Sequence, residues 1–270
     1  MNQSLFEFRD LLSKKQPLIH CITNPISINQ CANAILAVGA RPIMAEHPAE
    51  VADITVSANA LMLNLGNITD VRMASMEKAL LTALEHNIPV VLDVVGIACS
   101  PFRRNFALSL LQIGSPSVIK GNYSEIYALL HDTYHSSGVD ADTSLSADHM
   151  DVVCTRLAQI YNTVILASGK TDIISDGHHM VFISNGTPQL SQVTGTGCML
   201  GALCASFLSI KSPLDAASAA CATLGICGQL AETEKGNGSF LVALMDQLST
   251  VSTKTLIKLA RLEESLYEQI

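Results

Sequence analysis

A glycine-rich turn late in the chain carries the residue types best suited to chemistry. Val193-Thr194-Gly195-Thr196-Gly197-Cys198 follows a strand-like stretch and precedes a strongly apolar run that is typical of a helix. Glycines let backbone N–H groups approach a ligand closely, and a helix start adds partial positive charge. The turn therefore predicts an anion site that involves Gly195, Thr196, Gly197 and Cys198.

The same turn has a plain structural interpretation, because a glycine-rich turn in front of a buried cysteine has this composition too. It lacks the G-x-x-x-x-G-K-[ST] pattern of a P-loop. A dinucleotide fingerprint belongs beside the first strand of a sheet, which this turn does not follow. The tetrapeptide Gly195–Cys198 alone leaves both interpretations open.

Alternating apolar runs and amphipathic stretches predict an α/β fold with a mostly parallel central sheet covered by helices. A hairpin signal at Asp176-Gly177 predicts that the sheet ends in antiparallel strands. After Cys198 the pattern predicts an all-helical C-terminal third, and without a linker we expect one domain over 1–270. The expected strands are 18–23, 42–45, 60–64, 90–94, 117–120, 163–167, 171–176 and 179–184, and the expected helices are 27–38, 48–57, 70–87, 101–112, 123–130, 147–161, 198–210, 213–234, 239–249 and 254–268.

Composition excludes several classes of function. The 16 basic and 24 acidic groups give a net charge of −8, and Trp is absent, so nucleic acid is not an expected partner. The most apolar stretch, 198–210, is shorter than the roughly 20 residues that a bilayer requires. No signal-peptide core opens the chain. We therefore expect a soluble, cytoplasmic protein without a membrane partner, whose surplus apolar surface is buried between subunits.

Five sequence blocks, in order, resemble the hydroxyethylthiazole kinase family, a ribokinase-like family of thiamine salvage. Each block is weak alone, but the ordered set covers nearly the whole chain. The blocks are His20-Cys21-Ile22-Thr23-Asn24-Pro25, Leu63-Asn64-Leu65-Gly66, Leu92-Asp93 with Gly96, Lys120-Gly121-Asn122-Tyr123-Ser124-Glu125-Ile126 and Val193-Thr194-Gly195-Thr196-Gly197-Cys198.

The resemblance implies roles for individual residues. Gly195, Thr196 and Gly197 form the anion hole for the transferring phosphate, and Cys198 stands where related kinases have the catalytic Asp. A thiol at a helix start can act as a base or merely orient the hydroxyl. The remaining implied roles are ATP binding by Lys120, Asn122 and Ser168, binding of the thiazole by Met44, Asn24 and Gly195, and Mg²⁺ binding, partly through water, by Asp93 and Glu125.

Two positions depart from the family pattern, and one role has a structural alternative. Val94 stands where relatives commonly have Pro, and Lys120 stands where many have Arg, so the loop near the metal and the phosphate contact can differ in geometry. Taken by itself, Glu125 also suits an exposed first-turn helix residue capped by Asn122.

The resemblance implies transfer of phosphate from ATP to 5-(2-hydroxyethyl)-4-methylthiazole by a homotrimer with active sites at subunit interfaces. Within the same fold, a kinase for another small alcohol such as hydroxymethylpyrimidine is the alternative. A thiol enzyme with Cys198 as nucleophile is a second alternative, although no convincing His accompanies its helix. A non-catalytic thiazole-binding protein is the third.

Overall fold

The computed structural model of the protein describes residues 5–131 and 147–266. Within these ranges nine strands form one continuous sheet. The strands are β1 (Leu18–Ile22), β2 (Arg41–Ile43), β3 (Ala60–Asn64), β4 (Val90–Asp93), β5 (Val118–Asn122), β6 (Val164–Ser168), β7 (Asp172–Ser175), β8 (His179–Ile183) and β9 (Leu262–Leu266). Their spatial order is β2-β1-β3-β4-β5-β6-β7-β8-β9.

The sheet is parallel over its first six positions, from β2 to β6, and antiparallel over β7, β8 and β9. Every residue of β3 and β4 is buried, as expected for parallel strands that are covered on both faces. The hairpin between β7 and β8 forms at the predicted Asp176-Gly177 turn. The carboxylate of Asp176 accepts the backbone N–H groups of His178 and His179 there, and Gly177 has a φ of +91°.

Helices cover the sheet in two layers, each with its own apolar cluster. One layer contains α1 (Phe8–Lys15), α2 (Ile28–Ala37), α8 (Thr196–Leu208), α9 (Pro213–Ala231), α10 (Asn237–Thr250) and α11 (Thr253–Leu259). The other contains α3 (Val51–Ser57), α4 (Asp70–Glu85), α5 (Pro101–Ile113), α6 (Tyr123–Leu130) and α7 (Ala147–Tyr161). A short 3₁₀ helix, Pro188–Gln192, precedes α8.

Helix α8 lies against the centre of the sheet, where it is buried almost all round. Gly201 allows this close approach, because a Cβ there would meet Met62 Cε at 2.7 Å. Helix α9 is long and apolar enough to cross a membrane by length and composition, but 78% of its most apolar window is buried inside the fold. Both apolar helices are therefore core elements of this α/β fold.

The prediction of an all-helical C-terminal third is wrong at its end. The helix expected over 254–268 stops at Leu259, because Ala260 adopts an extended conformation. Leu262–Leu266 then forms β9, which pairs antiparallel with β8. The unpaired backbone groups at the edge of β8 offer hydrogen bonds that outweigh the helical propensity of this charged segment. Helix α8 also begins at Thr196, slightly earlier than expected.

Candidate active site

Polar side chains gather where neighbouring parallel strands end. Asn64 at the end of β3 is in register with Asp93 of β4, which is in register with Lys120 of β5. Farther along, Asn122 is in register with Ser168 of β6. Ligands of open α/β sheets bind outside the carboxyl ends of the strands. Residues that are far apart in the sequence therefore lie at the one edge where a substrate is expected.

The start of α8 faces this edge. Gly195, with a φ of +96°, stands directly before the first helical residue, and no side chain of the described residues caps the helix. The hydroxyl of Thr196 donates to the carbonyl oxygens of Leu190 and Val193, at 2.8 and 3.2 Å, so it holds the turn together. The first N–H groups of a helix have no partner within the helix. This turn therefore offers backbone donors and partial positive charge to an anion.

A buried cation accompanies those donors. Lys120 Nζ lies 3.1 Å from Asp93 Oδ2 and 3.2 Å from Asp93 Oδ1, and a Cβ on Gly197 would lie 3.5 Å from the same nitrogen. Burial lowers the pKa of Lys120, but Asp93 and Glu125 together raise it above its usual value. Burial raises the pKa of Asp93, against the effect of Lys120. Lys120 therefore stays charged beside the first turn of α8.

Glu125 is buried in the first turn of α6, not exposed as its alternative interpretation has it. Its Oε1 accepts the Gly96 N–H and its Oε2 accepts the Asn122 N–H, both at 2.7 Å. Asn122 Oδ1 accepts the Glu125 N–H at 2.9 Å, so the capping interpretation of Asn122 is confirmed. Burial raises the pKa of Glu125 to about 7, although Lys120 lowers it.

Cys198 lies in the first turn of α8, half-buried, with two asparagine amides at its sulfur. Asn24 Nδ2 and Asn64 Nδ2 each lie 3.4 Å from Sγ. Asn64 Nδ2 also donates to Asp93 Oδ2 at 2.9 Å, and Asn24 Nδ2 donates to Asn64 Oδ1 at 3.0 Å. A continuous set of hydrogen bonds therefore connects Cys198 to Asp93 and, through Asp93, to Lys120.

Ser168 and Met44 lie at the same edge, outside this hydrogen-bonded set. Ser168 Oγ donates to the carbonyl oxygen of Gly121 at 3.3 Å. Met44 follows the end of β2, is half-buried and packs against the apolar cluster of the α8 layer. The next residue, Ala45, is held by the ring of the buried His20, whose Nε2 lies 2.9 Å from the Ala45 carbonyl oxygen.

The described ranges contain no group of three or more His, Cys, Asp or Glu side chains that could hold a metal ion. Asp93, which pairs with Lys120, and Glu125, whose charge also acts on Lys120, are therefore two carboxylates and not part of a protein cage. Two carboxylates suit Mg²⁺, which keeps several waters and takes its other ligands from substrate phosphates.

Sequence reasoning missed two residues of this region. Asn64 belongs to one of the five sequence blocks but has no role predicted from the sequence, although a strand-end amide one strand from Asp93 is the signal that identifies it. The sequence likewise predicts no role for His20, whose Nδ1 lies 2.9 Å from Thr55 Oγ1. Both residues are completely buried, so their importance depends on contacts that the sequence does not show.

The fold and the edge cluster together define the class of protein. A ribokinase-like superfamily protein from Enterococcus faecalis V583 matches with a TM-score of 0.64 at 13% identity, covering 89% of this chain and 93% of that one. A Bacillus subtilis pyridoxal kinase structure in complex with ADP matches with a TM-score of 0.62 at 16% identity, covering 82% of this chain and 95% of that one. At such low identity these matches show the fold, which is ribokinase-like.

More similar proteins specify the family. The model of the hydroxyethylthiazole kinase family matches residues 10–254. Hydroxyethylthiazole kinase 2 of Clostridium botulinum strain Hall is 45% identical over 95% of this chain and 98% of its own length. The structure of a hydroxyethylthiazole kinase protein from Pyrococcus horikoshii OT3 matches with a TM-score of 0.89 at 34% identity, over 97% of this chain and 99% of that one. The chain belongs to the hydroxyethylthiazole kinase family and is a kinase with an alcohol acceptor.

Proposed function

We propose that this protein transfers the γ-phosphoryl group of ATP to the hydroxyl of 5-(2-hydroxyethyl)-4-methylthiazole, giving the phosphate ester and ADP. The observation that carries the proposal is the uncapped start of α8 beside the buried ammonium of Lys120. Family membership supports the thiazole alcohol as acceptor over hydroxymethylpyrimidine. The continuous sheet supports one kinase domain over the chain.

The transferring phosphoryl group binds at the backbone N–H groups of Gly195, Thr196 and Gly197. Phosphoryl transfer passes through a loose transition state, so positioning and charge neutralisation contribute most of the catalysis. Loss of one preorganised donor at such a site costs about 3 kcal/mol in activation free energy. Lys120 adds a positive charge to the same side of the turn. Asn122 and Ser168, in register on β5 and β6, contact the nucleotide.

Mg²⁺ fits the site through Asp93 and Glu125. Both carboxylates are buried hard-oxygen donors. Each oxygen of Glu125 accepts one hydrogen bond within the described residues and keeps a lone pair for the ion. When bound, the ion neutralises charge on the ATP phosphates. Val94, which replaces the usual Pro, packs its side chain toward Gly121 beside Glu125 and so helps to set the position of that carboxylate.

The acceptor lies between Cys198 and the loop after β2. Met44 supplies a polarizable thioether against the thiazole ring, and Gly195 and Asn24 line the same pocket. Cys198 acts on the acceptor hydroxyl as base or as orienting group. Because the loose transition state does not require a strong base, we expect Cys198→Ala to retain a measurable rate and Cys198→Asp to stay active. A Cys198→Ala variant that binds substrate but does not turn over would contradict the minor role.

A thiol-nucleophile mechanism has less support. In the described part of the chain, the groups within hydrogen-bonding distance of Cys198 Sγ are the amides of Asn24 and Asn64. An activated nucleophile is typically paired with a general base, and an amide is not a base. The kinase interpretation therefore accounts for these residues better than the thiol enzyme does.

We propose a homotrimer in the cytoplasm, with active sites at subunit interfaces. A surface groove between α2 and α10 supports the oligomer, since it includes the exposed Leu36 and the partly buried Met245. Gln30 of the same groove lies beside the glycine turn, with its Cδ 3.7 Å from the position of a Cβ on Gly195. The exposed Val242 extends the apolar surface on α10. Sedimentation velocity on the purified protein tests the trimer, and a monomer at micromolar concentration would overturn it.

The decisive experiment is ADP release, measured by a coupled assay with ATP and Mg²⁺ in the presence and absence of the thiazole alcohol. We expect release to depend on the thiazole alcohol and to be much slower with hydroxymethylpyrimidine. A non-catalytic thiazole-binding protein would bind the alcohol in calorimetry without releasing ADP. Faster turnover of hydroxymethylpyrimidine than of the thiazole would contradict the proposed acceptor.

A further inference from the structure

The two amides at Cys198 are arranged as hydrogen-bond donors to its sulfur. Asn24 Nδ2 and Asn64 Nδ2 approach Sγ from β1's connection to α2 and from the end of β3, each at 3.4 Å. Asn24 and Asn64 are both buried, whereas Cys198 is half-buried. The sulfur therefore has a closed side that is occupied by the amides, and because Cys198 is half-buried it also has an open side away from them.

Backbone groups fix the orientation of both amides. Asn64 Oδ1 accepts the Gly66 N–H at 2.9 Å, and Asn24 Oδ1 accepts the N–H groups of Ile26 and Ser27 at 3.1 and 3.0 Å. A backbone N–H is always a donor, so each amide oxygen must point toward it. The amide nitrogens are thereby turned toward the sulfur.

The hydrogens of these nitrogens are fully used. Asn64 Nδ2 gives one hydrogen to Asp93 Oδ2 and the other to Cys198 Sγ. Asn24 Nδ2 gives one to Asn64 Oδ1 and the other to Sγ. A thiol has two lone pairs and one hydrogen, so two accepted bonds leave its S–H for the open side. In the thiolate form, the third lone pair occupies that direction instead.

We propose that Asn64 and Asn24 are positioning residues that donate two hydrogen bonds to Cys198 Sγ. They thereby direct its S–H, or the third lone pair of the thiolate, at the hydroxyl of the substrate alcohol. This inference rests on the proposed function, because it gives the Cys198–alcohol contact its direction. It also assigns Asn24 an indirect part in substrate binding, since both of its amide hydrogens are already donated within the cluster. Asn64 additionally connects the sulfur to the Asp93–Lys120 pair.

A double-mutant cycle, measured as kcat, tests whether the two asparagines act through Cys198. Asn64→Ala removes one donor, and Asn24→Asp removes the other while keeping the oxygen that accepts the Ile26 and Ser27 N–H groups. Each variant is made with Cys198 present and in a Cys198→Ala background. We expect each to lower kcat by about tenfold with Cys198 present and by less than about twofold without it, with KM for ATP unchanged. Equal losses in both backgrounds would overturn the proposal.

Alkylation gives a readout that does not depend on turnover. Iodoacetamide reacts with the thiolate sulfur, whose remaining lone pair the two amides direct at the open side, and peptide mapping follows each cysteine separately. Cys99, the exposed cysteine, is the internal reference, and the other six are buried. We expect either Asn variant to slow alkylation of Cys198 by about fivefold or more relative to Cys99. Unchanged Cys198 alkylation in both variants would refute the positioning role.

The two readouts also separate this inference from the proposed function. If the wild-type protein releases no ADP with the thiazole alcohol, the proposed function fails, whereas slowed alkylation still supports the amide–sulfur arrangement. If ADP release is normal but the kcat losses are additive, only the positioning role fails. Should Asn64→Ala not fold, as judged by urea unfolding, Asn24→Asp carries the test because its backbone contacts are retained.

Discussion

Gly197 is the position where stability and activity should respond in opposite directions. Its φ is not in the left-handed region, and the nearest atom to a Cβ placed there is Lys120 Nζ at 3.5 Å, an ordinary van der Waals distance. A Gly197→Ala methyl group therefore fits the protein alone. That methyl group nevertheless occupies the space between the first turn of α8 and the Lys120 ammonium, where the proposed phosphoryl group binds.

The magnitudes follow from these contacts. Replacing a helical Gly by Ala adds up to about 1 kcal/mol of stability when the conformation suits both residues. A phosphate oxygen must come within about 2.9 Å of a backbone nitrogen to accept its hydrogen, which the new methyl group prevents at this turn. Losing one such donor lowers kcat by about 10²- to 10³-fold. We expect Gly197→Ala to lower kcat/KM by that factor while the protein unfolds at equal or higher urea concentration.

Gly238 provides a matched control. Like Gly197, it is the second residue of its helix, and a glycine with positive φ stands directly before that helix. Unlike Gly197, it has no neighbour within 4 Å of an added Cβ. Gly238→Ala should change stability similarly and leave kcat/KM unchanged. The assays are ADP release and urea unfolding on both variants. Near-wild-type kcat/KM in Gly197→Ala, or an equal loss in Gly238→Ala, would refute the phosphate site at this turn.

Three further predictions concern the surroundings of the site. Asp93→Asn should lower the free energy of unfolding by about 3 kcal/mol, since it leaves the buried Lys120 without its charged partner; urea unfolding measures this. Burial lowers the pKa of His20, so the unfolded chain takes up this proton first and the wild type should lose stability as pH falls through the usual 6.5. His20→Gln, which keeps a donor for Ala45, should lose less stability between pH 7 and 5 in the same measurement. Met44→Ala should raise KM for the thiazole alcohol by about tenfold, equivalent to about 1.4 kcal/mol, and leave KM for ATP unchanged in initial-rate assays.

Each of these predictions has a contradicting result. An unchanged urea midpoint in Asp93→Asn would mean that the pair with Lys120 adds nothing to stability. Parallel pH profiles of wild type and His20→Gln would show that this histidine does not titrate differently in the folded state. Equal increases in both KM values for Met44→Ala would place Met44 outside the acceptor pocket.

The fold class could be predicted because local patterns determine it. Runs apolar on both faces, such as 90–94, are found buried in parallel strands, and the Asp176-Gly177 signal forms the expected hairpin. The C-terminal strand could not be predicted in this way. Leu262–Leu266 is mostly exposed and highly charged, so its extended form depends on the free edge of β8, which only the assembled sheet provides.

For the candidate site, too, some features could be predicted from the sequence and others depend on the tertiary structure. The sequence by itself determined the family and the glycine turn, because residue types in order carry that information over nearly the whole chain. The tertiary structure decided that Glu125 is buried, that Lys120 faces Gly197, and that two amides meet at Cys198. Those relations join β1, β3, β4 and β5 to α8 across long stretches of sequence. Strand register and helix packing set such distances, and both depend on contacts between distant segments, which local sequence patterns do not specify.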